Sequence, residues 1–102
     1  MVRIITKTIA RKMLADVPPE KRFWVADGRY LKNLEELAAA LMQMSPETFR
    51  VHSNREKTDF SNWVKDVMGD DKLAADLLKC ETRQEAARVV AARIDDLKAR
   101  AA

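Results

Sequence analysis

The sequence predicts a mainly α fold, a compact bundle of about five or six short helices with a short β-hairpin near residues 22–32. Three observations carry that expectation. Ala, Leu, Glu, Lys and Arg are abundant, strand formers are scarce, and only two glycines and three prolines occur, a composition of helices rather than loops. Apolar residues recur at Phe60, Trp63, Val64, Val67 and Met68, the i, i+3, i+4, i+7, i+8 spacing of a helix with one buried stripe. Cap signatures at Asn33-Leu34-Glu35-Glu36, Ser45-Pro46-Glu47 and Thr82-Arg83-Gln84-Glu85 mark further helix starts. A chain of 102 residues makes one helical domain over 1–102, with enough material for one core but not two.

In chain order, residues 3–15 read as a helix with Ile5, Ile9 and Met13 on one side and Arg3, Lys7 and Arg11 nearly opposite. Val17-Pro18-Pro19 ends it, because proline lacks an N–H and restricts the residue before it. Residues 23–26 are strand-like, Asp27-Gly28 favours a tight turn, and residues 29–32 supply a partner strand; an extended segment with a turn satisfies the same signals. The helix from Asn33 to about Met44 turns Leu34, Leu37, Ala38, Leu41 and Met44 inward; Met42 and Met44 could form an adaptable binding surface, though filling gaps in the core is the commoner use. Ser45 opens a shorter helix that sets Phe49 and His52 on one face. After the polar loop 53–57, Thr58 or Asp59 is expected to cap the aromatic helix and Gly69 to end it in the left-handed conformation. Phe60 and Trp63 then occupy the centre of the core. Asp70 or Asp71 caps the next helix, whose apolar face is Leu73, Ala74, Leu77 and Leu78. Thr82 opens the longest helix, with a seam of Ala86, Val90, Ile94, Leu97 and Ala101, flanked by Val89 and bordered by Arg88, Arg93, Asp95 and Asp96. Such a seam lies across its own domain or pairs with a copy of itself.

The net charge of +3 is unevenly placed: residues 1–32 carry eight basic and three acidic side chains, residues 33–102 eleven and thirteen. Attraction to a polyanion therefore falls to the first third, through Arg3, Lys7, Arg11, Lys12, Lys21 and Arg22. A single-strand stacking site of Phe23, Trp24 and Tyr30 with Lys21, Arg22 and Arg29 is an alternative to packing those rings inside the hairpin. A helix-turn-helix over residues 58–79 fits poorly, since its recognition helix would present Asp70, Asp71 and Asp76 to phosphates.

Catalytic signatures are missing. The sole histidine, His52, and the sole cysteine, Cys80, cannot make a zinc tetrad, and no cofactor is expected. Gly28 and Gly69 form no phosphate-binding pattern, and Ser53 and Ser61 lack a strained nucleophile turn. One cysteine excludes an intramolecular disulfide and suggests a reducing compartment. The longest apolar run, Leu37–Met42, falls far short of the ~20 residues of a membrane span. Charges at Arg3 and Lys7 interrupt any leader core, so a cytoplasmic location is expected.

His52 and Asp59 flank the polar loop, which brings them together; a contact is expected in which the carboxylate fixes the imidazole tautomer. A hydrogen-bonded structural histidine is the commoner arrangement. The residues Phe23, Asp27-Gly28, Leu34 and Leu37, Phe49 and His52, Asp59-Phe60 and Trp63, Gly69-Asp70 and Leu73-Ala74 form a set over roughly half the chain. As a set it resembles a family of small prokaryotic domains, frequent in archaea and classed as of unknown function (the DUF5752 type). Family members often carry Asn before the Asp-Phe pair, where this chain has Thr58. The resemblance implies no known activity. The reading for function is a non-enzymatic protein-interaction or adaptor module, with self-association through the C-terminal helix as one form of it. Nucleic-acid binding by the basic first third is the runner-up, and small-ligand binding at His52 the third reading.

Overall fold

A computed structural model describes residues 4–102. Six helices and one small hairpin follow in order: α1 (Lys7–Leu14), a 3₁₀ turn (Pro19–Lys21), β1 (Phe23–Trp24), β2 (Tyr30–Leu31), α2 (Leu34–Gln43), α3 (Pro46–His52), α4 (Asp59–Trp63), α5 (Asp71–Leu78) and α6 (Arg83–Ala101). The radius of gyration, 12.9 Å, matches the ~13 Å of a compact chain of this length. No helix among the described residues is long and apolar enough to cross a membrane.

Most helix starts follow the sequence. The side chains of Asn33, Ser45, Asp70 and Thr82 each accept a backbone N–H of the first turn that would otherwise lack a partner. The first helix begins later than residue 3. Thr6 accepts the Ile9 N–H and starts α1 at Lys7, while Arg3 lies outside the described residues. The aromatic helix departs more strongly: neither Thr58 nor Asp59 caps it, because the Asp59 carboxylate is turned to His52 and Lys57 instead. After Trp63 the helix widens into a π turn over Val64–Met68. A wider turn rotates successive residues by a smaller angle, and Val67 and Met68 are only half-buried while Val64 is buried. Gly69 ends the turn at φ +69°, and the Asp70 N–H reaches back to the Val64 carbonyl at 3.2 Å.

The hairpin is antiparallel, with Phe23 opposite Leu31 and Trp24 opposite Tyr30. Val25 N–H donates to the Arg29 carbonyl, so the loop is the three residues Ala26-Asp27-Gly28, closed by Gly28 at φ +103°. Period-two alternation splits its four strand residues: Phe23 and Leu31 are buried, Trp24 and Tyr30 exposed.

The core is one contiguous cluster. Phe23 is its aromatic hub, 5.1 Å from the His52 ring, 5.1 Å from Phe60 and 5.6 Å from Trp63, while Phe49 stacks with Phe60 at 5.7 Å. The Trp63 indole N–H donates to the Lys21 carbonyl at 2.7 Å, which satisfies its polar edge and fastens the 3₁₀ turn to α4. On the other side α6 packs along α1 and α2, burying Ala86, Val90, Ile94 and Leu97. The seam therefore lies across its own domain. Arg93, read from sequence as a border residue, is buried with it. Met42 and Leu78 are the opposite case, both 63% exposed rather than packed inside.

Candidate functional site

The motif residues gather around two buried polar centres. The first is His52, 4% exposed. Its Nδ1 lies 3.0 Å from Asp59 Oδ2, the contact expected from the sequence. Its Nε2 stands 3.0 Å from the backbone nitrogen of Ala26. A backbone N–H can only donate, so Nε2 must offer its lone pair and the ring proton sits on Nδ1, donating to Asp59. With both nitrogens bonded inside the protein and the ring packed on Phe23 and Phe60, no lone pair is open to a ligand or metal. What His52 does is join three pieces of chain: the hairpin loop with Asp27-Gly28, α3 and the start of α4. The loop between α3 and α4 is itself fastened by Asn54, whose side chain accepts the Glu56 and Lys57 N–H groups and donates to the Arg50 carbonyl.

The second centre was not read from the sequence. Asp70, 0% exposed, accepts two bonds from Arg93, from Nε at 2.8 Å and Nη2 at 3.0 Å, and a third from the Leu73 N–H as the α5 cap. Arg93 Nη1 also reaches Asp96 at 2.8 Å. Burial works against the guanidinium charge, but the hydrogen bonds and charges of Asp70 and Asp96 outweigh it and raise its pKa above the ordinary arginine value. The signal was present: Ala86, Val90, Arg93 and Leu97 run at spacings of four, three and four, one face of a helix. Asp70 is thus turned inward, which removes it from any recognition face of a helix-turn-helix.

Asp27 and Arg29 close the hairpin loop with an ion pair at 2.7 Å. The Arg29 side chain, through its hydrogen bonds and charge, holds the Asp27 carboxyl below its usual range. Of the basic patch, Arg3 lies outside the described residues. Lys7, Arg11, Lys12, Lys21 and Arg22 are all exposed, but Arg11 Nε donates to the Ala101 carbonyl at the end of α6. Lys21 and Arg22 lie instead beside the hairpin. Of the six residues of the stacking set, Phe23 is buried, Arg29 is held by Asp27 and by Gln43, and Trp24, Tyr30, Lys21 and Arg22 are exposed.

One further surface combines small side chains with an exposed methionine. Arg83 Nη1 donates to the Met42 carbonyl at 3.0 Å, and Lys98 pairs with Glu35 at 2.9 Å. These contacts clamp α2 and α6 antiparallel at both ends. Between them runs a groove of about 480 Å³ lined by Ala38, Ala39, Met42, Ala87, Arg88 and Ala91. No group of three or more His, Cys, Asp or Glu placed to hold a metal ion occurs among the described residues. Comparison with known proteins gives no match: no family model, no curated protein and no solved structure corresponds to this chain.

Proposed function

We propose that the protein is a non-enzymatic interaction module of the cytoplasm that associates with a second copy of itself through the outer face of α6 and the adjoining α2 groove. One observation carries the reading. Gln84, Arg88, Ala91, Asp95 and Lys98 are all exposed and succeed one another at spacings of four, three, four and three, the repeat of a helix-pairing seam. Placed antiparallel to itself about a two-fold axis between Ala91 and Ala92, the seam sets Arg88 opposite Asp95 of the second copy, and the reverse. A self-complementary patch is what a two-fold interface requires. Alanine at the axis lets the backbones approach closely, and Met42, unbranched and flexible, can fit itself to the opposing surface.

This seam is the outward side of α6, distinct from the apolar seam buried against α1 and α2. Being small and polar-rimmed, it belongs with weak, reversible interfaces. Light scattering over a concentration series tests the proposal. Mass should climb from monomer towards dimer, and Ala91→Glu, which sets like charges against each other at the axis, should hold it at the monomer. A mass independent of concentration up to the solubility limit would overturn it.

A further inference from the structure

The hairpin presents Trp24 and Tyr30 as directly opposed cross-strand partners, 54% and 63% exposed. Isolated surface aromatics need no explanation, but two aromatic side chains paired across one exposed hairpin face offer a platform. Cross-strand partners stand about 5 Å apart at Cβ, close enough to receive two neighbouring bases. Beneath the hairpin Phe23 packs on His52 and Trp63, and His52 holds the loop by the Ala26 N–H, so the platform is anchored before anything binds. Its charges are unevenly engaged. Asp27 holds Arg29 and Asp16 lies 3.6 Å from Lys32, leaving the exposed Lys21 and Arg22, which directly precede β1 in the chain, with Glu20 as the nearest acid in sequence.

We propose that this face binds single-stranded nucleic acid, bases stacking on Trp24 and Tyr30 and phosphates meeting Lys21 and Arg22. The site is separate from the α6 seam and stands whether or not the chain self-associates. Aromatic faces accept any base, and two cations supply modest attraction, so binding should be sequence-tolerant and governed by stacking more than by salt.

Fluorescence anisotropy of an end-labelled oligothymidylate of about twelve residues, inside the usual range of such sites, is the test. Saturable binding is expected at low salt, with a slope of log affinity against log salt near −1.4 for two phosphate contacts. Trp24→Val keeps a good strand former yet removes the ring, and Tyr30→Ala removes the other; each should weaken binding by roughly fivefold to a hundredfold. Lys21→Gln with Arg22→Gln should flatten the salt slope towards zero, whereas Lys7→Gln with Lys12→Gln should leave binding unchanged. Three results would overturn the proposal: no binding at low salt, binding indifferent to both ring substitutions, or a polyglutamate of matched length binding equally well, which would reveal a surface that reads charge alone.

Discussion

Asp70 and Arg93 lie 23 residues apart in sequence and form a two-pronged ion pair, at 2.8 and 3.0 Å, with both side chains almost wholly withdrawn from water. The pair fixes the start of α5 to the middle of α6. Because a lone buried charge is far more costly than a matched pair, each partner holds the other in place.

Arg93→Met should therefore be strongly destabilising, by about 3–5 kcal/mol, since it strands the Asp70 carboxylate without its cation. Asp70→Asn in the same chain should recover much of the loss. Asparagine still accepts the Leu73 N–H as an α5 cap but carries no charge to strand. Urea midpoints of the two variants check this, and a double variant no more stable than the single one would show that the charge balance is not what matters.

Ala26 is an exposed loop residue, yet its amide should exchange slowly with solvent because His52 Nε2 accepts it. In His52→Ala the amide should exchange like the rest of the loop, with a loss of stability of about 2–4 kcal/mol from the vacated ring and the unpaired N–H. Long-range ¹H–¹⁵N correlation spectra of the wild type should place the imidazole proton on Nδ1 at neutral pH. A proton on Nε2 would contradict the geometry.

Cys80 should alkylate slowly at neutral pH and speed up in urea. Burial raises its thiol pKa, and the charges of Glu85 and Asp76 add to the effect. The sign for stability follows. In the alkaline range the unfolded chain gives up the thiol proton before the folded one does, so the contribution present below the unfolded pKa is lost as pH rises through the folded pKa. Iodoacetamide labelling followed by mass analysis measures the protection directly; labelling as fast folded as unfolded would refute it.

Much of this frame is legible in the residues. The stripe of Phe60, Trp63 and Val64 and the caps at Asn33, Ser45 and Thr82 act over one or two helical turns, within reach of spacing arguments. His52 and Asp59 could be paired because only a short polar loop separates them. What escaped depends on distant partners. The missing cap at Thr58 is the local exception, since Asp59 is turned to the nearby His52 and Lys57. Phe23 becomes the hub of the aromatic cluster because the hairpin folds onto α3 and α4. Arg93 is taken inside by a carboxylate on another helix, and a charged side chain on an apolar face reads as a border until that partner is known. Met42 stays outside, on the rim of the groove that the small residues of α2 and α6 leave open.

Sedimentation equilibrium of a charge-exchange set tests the functional reading most directly. Arg88→Asp and Asp95→Arg should each weaken the dimer several-fold by setting like charges across the two-fold axis, and the double variant should restore it by exchanging the partners of every pair. Association untouched by either single change, or a double variant as weak as the singles, would contradict the α6 interface.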